Sequence, residues 1–336
     1  MGRAMTLVPP GSMSLKALAA VTLASALVAG ALAVVSSAFA ASRIASERAD
    51  FELEVAAAIE GVKLALASNG SPSADSRFDL AAMPFPPGVT IEDVSSRLNP
   101  NHLGTAFLDS LKYVGIMQSG ANGYAIRQER FDKGLAIDLP AVYGDYFTEA
   151  AFERHLTPYS YANVNVAEEF ALERLYSQAR GTESGYAAFR AKVGEVWTTS
   201  GLLEPERFLE FFGSTADGVF PTICAEPQIN VNFADPLVLE AVLKFPGFAV
   251  KNPPLVLKRL LDEAAAAEID APRLAEILGK AESNLIYAYL GVHTWFWRVR
   301  LSRRGRSADI ILARVPRYSE ESGSPYEFRV VSVGYE

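Results

Sequence analysis

The spacing of apolar residues changes three times along this chain, and each change marks a different kind of element. Residues 17–42 form a run of 26 positions without an ionisable side chain, bracketed by Lys16 and Arg43. Wound as a helix at about 1.5 Å per residue, the run reaches roughly 39 Å, enough for a hydrocarbon core of about 30 Å with some tilt. Beyond it, Ile44, Phe51, Val55, Ile59, Val62 and Leu66 recur at helical steps and make one apolar stripe. Apart from Gly30 and Gly61, nothing breaks the pattern before Asn69-Gly70-Ser71-Pro72. One helix over residues 14–68 is therefore predicted, apolar all round in its first half and amphipathic in its second.

Residues 69–87 are rich in Ser, Pro, Asp and Ala and read as a loop, followed by a short strand at Val89-Thr90-Ile91. Residues 98–290 are mostly helical in pattern. At the C-terminus the period drops to two: His293, Trp295, Trp297, Val299 and Leu301 alternate with Thr294, Phe296, Arg298 and Arg300. In that alternation Trp295 and Trp297 share a face against the rod, and Phe296 looks the other way, toward the helical block. Ser302-Arg303-Arg304-Gly305-Arg306 makes a turn, residues 308–315 a second strand, 316–325 a polar loop and 326–333 a third strand. The expectation is an α+β fold: a long N-terminal helix packed on a small antiparallel sheet, with a large all-helical domain inserted before the C-terminal strands. Its segments are a cytoplasmic leader (1–16), a transmembrane half-helix (17–42), a periplasmic half-helix with the first strand region (43–96), the insert (97–288) and a three-stranded antiparallel sheet (289–336).

The insert repeats itself. Asn99-Pro100-Asn101, Asn163-Val164-Asn165 and Asn230-Val231-Asn232 are N-x-N triplets 64 and 67 residues apart. Each is followed at the same offsets by apolar residues: Leu108 and Leu111, Leu172 and Leu175, Leu239 and Val242. An Asn side chain can accept hydrogen bonds from the unpaired N–H groups of a first helical turn, so all six asparagines are expected to cap helices. Asn165 with Glu168 has capping-box spacing, and Asp235 before Pro236 reads as a cap with Pro at the first helical position.

Composition narrows the chemistry. A net charge of −8 argues against a protein built around nucleic acid, although the Gly-containing helix turn at Leu111–Ile116 has a helix-hairpin-helix look. The single cysteine, Cys224, excludes an intramolecular disulfide, and His102, His155 and His293 form no metal-ligand pair. No nucleophile elbow, P-loop or dinucleotide fingerprint occurs, so no enzyme activity and no catalytic residue is expected. The leader carries Arg3 and Lys16 and no acid, which places the N-terminus in the cytoplasm and the bulk of the chain in the periplasm. Ala38-Phe39-Ala40 is an A-x-A pattern, so a secretory signal cleaved after Ala40 is the alternative to a retained anchor.

A rod of this form is the shape of pilin-like subunits, and the order of several motifs resembles the minor pseudopilin K family of type II secretion. The similarity runs through Gly88-Val89-Thr90-Ile91-Glu92-Asp93, Arg97-Leu98-Asn99-Pro100-Asn101 and residues 201–208. It is densest at Gln228-Ile229-Asn230-Val231-Asn232-Phe233-Ala234-Asp235-Pro236 and continues to Tyr289-Leu290-Gly291-Val292-His293-Thr294-Trp295-Phe296. The resemblance implies an inner-membrane subunit at the tip of a periplasmic pseudopilus, with other minor pseudopilins and the major pseudopilin as partners. It also implies prepilin-type processing between Gly11 and Ser12, which would leave Lys16 at the fifth mature position, where such subunits usually carry Glu. Calcium is a possible cofactor by the same resemblance, yet the acidic stretch at residues 127–134 is thin. The other readings are an anchored periplasmic binding protein and an anchored helix-hairpin-helix nucleic-acid-binding module.

Overall fold

The computed structural model describes residues 11–68, 74–180, 185–205, 207–208, 223–281, 283–316 and 326–335. The first ten residues of the expected leader, the breaker at 69–72 and the polar loop at 317–325 lie outside the described residues. The chain divides within its first helix into two compact units, Met1–Ala58 and Ile59–Glu336. That helix, α1, spans Gly11–Ser68, starting three residues ahead of the expected Ser14.

In the second unit, the last turns of α1 bury Ile59, Val62, Ala65 and Leu66, continuing the stripe read from the sequence. Gly61 allows a close approach here, since a Cβ at this position would sit 2.9 Å from Pro86 Cγ. A short helix α2 (Arg77–Ala82) follows, closed by a capping box between Ser76 and Asp79. Strand β1 (Val89–Asp93) then leads into the insert.

The sheet has four strands, in the order β1, β6 (Phe296–Arg303), β7 (Arg306–Pro316) and β8 (Tyr326–Tyr335), antiparallel throughout. The three C-terminal strands thus gain β1 as a fourth, with Ile91 beside Val299 and Val299 beside Ile310. Trp297, Val299, Leu301, Ile310 and Leu312 fill one face. The alternation expected from His293 onward starts only at Phe296. Before it, the Thr294 N–H donates to Asp75 Oδ2 and the Trp295 N–H to Ser95 Oγ, so these backbone groups bond to side chains rather than to β1. Trp295 therefore joins Phe296 in a cluster with Tyr161 and Cys224 of the insert, instead of sharing a face with Trp297. Phe296 does meet the insert, with its ring 4.8 Å from that of Tyr161.

Between β1 and β6 the insert repeats one unit three times. Each copy opens on a short parallel bridge to the segment that closes it: Leu98 to Leu156, β2 (Ala162–Asn163) to β3 (Ile223–Cys224), and β4 (Ile229–Asn230) to β5 (Leu290–Gly291). Next comes an N-x-N triplet, then a helix: α3 (Thr105–Ser110), α7 (Glu169–Arg180) or α9 (Pro236–Lys244), where α4 (Gly123–Lys133), α5 (Leu139–Tyr143), α6 (Glu149–Arg154) and α8 (Tyr186–Ser200) intervene. Leu108, Leu111, Leu172, Leu175, Leu239 and Val242 are all buried. The first and third copies share a core in which the Phe107 ring lies 5.1 Å from Phe245 and 4.9 Å from Tyr289. The second copy packs its own core around Leu172, Phe189 and Val193.

Candidate functional site

In the first unit the feature that bears on function is the apolar part of α1. Val21, Leu23, Leu27, Val28, Leu32, Val34 and Phe39 are exposed, although the segment has a mean hydropathy of 2.0. By length and composition this helix is able to cross a membrane once. Its polar continuation begins with the ion pairs Arg43–Glu47 and Arg48–Glu52, spaced four apart as helix neighbours. Gly11 and Ser12 are the first two residues of the helix, and Ala38-Phe39-Ala40 lies inside it without a break.

In the second unit the asparagine triplets form one device used three times, and it is not helix capping. The first Asn of each triplet accepts the backbone N–H of the second through its side-chain oxygen, at 3.0, 2.9 and 2.9 Å. Each second Asn then exchanges a pair of hydrogen bonds with one distant backbone unit. Asn101 does so with Ala136 (2.8 and 2.8 Å), Asn165 with Leu203 (3.0 and 2.8 Å) and Asn232 with Ile269 (3.0 and 2.9 Å). The first Asn also ties its copy to segments far along the chain. Asn99 donates to Pro158 O and Ser160 Oγ, Asn163 to the carbonyls of Ala225, Glu226 and Ala288, and Asn230 to Asp75 O and Thr294 Oγ1. The expected capping role is thus replaced by clamping. The cap position of α3 is Gly104, with no side-chain bond, while α9 is capped by Asp235 as its Pro236 suggests. The physical reason is distance along the chain: the helices start four to six residues after each triplet's first or second Asn, beyond the reach of a capping side chain. Glu168 is likewise not half of a capping box, because its carboxylate pairs with Arg127 and the fully buried Arg130.

A buried polar junction, which sequence reasoning missed, locks the third copy to the sheet. Arg314, on β7, holds both carboxylate oxygens of Asp75 in a bidentate pair, and His293 lies 3.6 Å from the same carboxylate. Burial pushes the Asp75 pKa up, but Arg314 together with the bonds from His293 and Thr294 outweighs it, bringing the group to about 2. Asp93 accepts from Ser95, Ser96 and Thr294, and its burial raises its pKa. Arg314 gives a usable sequence signal, as a charge in the strand Ile310-Ile311-Leu312-Ala313-Arg314-Val315 must find a buried counter-charge.

The three histidines have different neighbours. His102 is half-buried beside Arg130, and desolvation first, then that charge, lowers its pKa to about 3. His155 lies 3.3 Å from Asp235, and His293 belongs to the Asp75 junction. The acidic stretch at 127–134 lies largely in helix α4, where Glu129 pairs with Lys133 and Asp132 accepts from Gln128. Such donors do not fit the six to eight oxygens that calcium needs. Among the described residues no group of three His, Cys, Asp or Glu side chains is placed to hold a metal.

Neither a family model nor a curated protein sequence matches this chain. Among solved structures, it is similar to a chain of the GspK-GspI-GspJ complex from the enterotoxigenic Escherichia coli type 2 secretion system. The identity is 12% and the TM-score 0.32, over 88% of this chain and 98% of that one.

Proposed function

We propose that this protein is a minor pseudopilin of a type II secretion system, held in the inner membrane by α1. It would help initiate or cap the periplasmic pseudopilus at its tip, without enzyme activity. The observation that carries this reading is α1 itself. One helix is lipid-compatible over its first half and core-forming over its last turns, so the same rod can anchor the subunit and organise its head. The motif order read from the sequence supports the assignment to the K type, and the clamped helical insert fits a bulky head that ends a filament.

On this reading the partners are other minor pseudopilins and the major pseudopilin, and processing falls between Gly11 and Ser12. The test is affinity purification of the full chain from detergent-solubilised membranes of its native host, paired with deletion of its gene. Recovery of the other minor pseudopilins, with loss of exported proteins from the medium in the deletion strain, is the expected result. A chain that purifies without them and whose deletion leaves export intact contradicts the proposal.

A further inference from the structure

We propose that the cleft between α2, β1, α6 and the start of α9 binds a monoanionic ligand, one carboxylate carried beside an apolar group. The cleft lies wholly in the second unit and does not depend on the membrane reading. Its volume is about 550 Å³, within the range of sites that take small ligands. Three arginines line it from different parts of the chain: Arg77 on α2, Arg97 just after β1 and Arg154 at the end of α6. Leu80, Ile91 and Phe233, all half-buried, supply its apolar surface.

The charges in the wall select the ligand, because most of them already have partners. Arg97 pairs with Glu92 and donates to the Glu153 carbonyl. Asp93 holds the hydroxyls of Ser96 and Thr294, while Asp235 caps α9 and lies 3.3 Å from His155. Arg77 and Arg154 differ. Both are exposed, and among the described residues neither has a carboxylate within ion-pair distance. Their planar forks of donors match a carboxylate. The field of these cations also reaches inward: burial lowers the His155 pKa, Asp235 opposes it, and the charges of Arg154 and Arg97 lower it further. The acids of the same wall limit what can enter. A dianion such as phosphate would face Glu153 and Asp235 at close quarters, whereas a single negative charge is balanced by the two unpaired arginines. Phe233 supplies the platform for the rest of the ligand. Its ring stands edge-on to Trp297, centroids 5.7 Å apart and planes at 88°, so the buried indole holds it in place.

The test is calorimetric titration of the full chain in detergent with four probes: acetyl-Phe-Glu-amide, its uncharged counterpart acetyl-Phe-Gln-amide, 3-phenylpropionate and inorganic phosphate. The expected result is saturable binding of at least one carboxylate probe below about 1 mM, with the glutamine peptide and phosphate each at least about tenfold weaker. Tighter binding of the glutamate peptide than of 3-phenylpropionate supports the site and identifies its natural ligand as an acidic peptide segment. The reverse order supports it and identifies a free acid. R77A and R154A should each weaken the carboxylate probe about tenfold, whereas K251A, an exposed cation outside the cleft, should leave it unchanged. Absence of saturable binding by both carboxylate probes overturns the proposal. So does phosphate that binds as tightly as they do, or a glutamine peptide that matches the glutamate one. Binding indifferent to both R77A and R154A places the ligand elsewhere and overturns it as well. Should either variant fail to fold, the comparison of the glutamate and glutamine peptides on the unmodified chain, with the K251A control, decides the matter.

Discussion

The side chain of Asn101 and the backbone of Ala136 hold each other through two hydrogen bonds, both 2.8 Å long, although 35 residues separate them. A side-chain amide is the same chemical unit as a peptide group, so it can read the N–H and C=O of a buried residue at once. Asn165 with Leu203 and Asn232 with Ile269 repeat the arrangement at separations of 38 and 37 residues. Each clamp thereby supplies partners for backbone groups that have left regular secondary structure inside the core.

Replacing Asn232 by Leu keeps the volume and removes both partners of Ile269. Two buried backbone groups left unpaired cost about 2–4 kcal/mol, measurable as a lower denaturation midpoint. N165L should cost a similar amount. An effect below about 1 kcal/mol at both sites would mean that water replaces the amide and that the clamps are dispensable.

The Asp75–Arg314 pair should behave as a buried ion pair with one costly failure mode. R314M leaves a carboxylate buried beside Thr294 and is expected to destabilise by about 3–5 kcal/mol, while D75N/R314M recovers a large part of the loss. The sign with pH follows from the Asp75 pKa of about 2, below its ordinary value of 3.8. The stabilisation is complete above the ordinary value and disappears as pH falls through the folded-state value, amounting to about 2 kcal/mol. Comparing melts of the unmodified chain and D75N/R314M between pH 5 and pH 2, a window of about three units spanning both values, isolates this contribution from that of Asp93.

Two glycines beside α3 should respond unequally. A Cβ at Gly123 would press into the Thr105 carbonyl oxygen, whereas none at Gly104 would meet any atom within 4 Å. G123A is expected to cost about 1–3 kcal/mol through local overpacking, and G104A no more than about 1 kcal/mol at a cap position. Parallel thermal melts of the two variants check the contrast.

The anchor has its own signature. A lysine at Leu27, near the middle of the ion-free run, costs about 2.5–3.5 kcal/mol of insertion free energy. Since this run is rich in alanine, L27K should move a substantial fraction of the protein from the carbonate-resistant membrane pellet to the supernatant. A distribution identical to that of the unmodified chain would show that residues 17–42 do not hold the protein in lipid.

Much of the fold was legible because it rests on periodicity. The stripe Ile59, Val62 and Leu66, the strands after Phe296 and the paired leucines of the three copies are all set by burial of one face, which a linear pattern records directly. The asparagine triplets are visible as a repeat, but their spacing suggests capping where the structure has clamps. Capping is local and can be inferred from spacing, whereas a clamp joins residues 35 to 38 positions apart and has no local signature. Trp295 departs from the alternation for a related reason, because the bonds that Thr294 and Trp295 donate to Asp75 and Ser95 delay the strand and no alternation rule contains them. The charge of Arg314 within an apolar strand announced a buried partner without naming Asp75.

The central claim, a retained lipid-embedded first half of α1, is tested most directly by the N-terminal residue of the mature protein extracted from membranes, read by mass spectrometry. The account predicts a chain that begins at Ser12 and keeps residues 17–42. A chain beginning at Ala41 would remove the lipid-spanning half of the helix and contradict it.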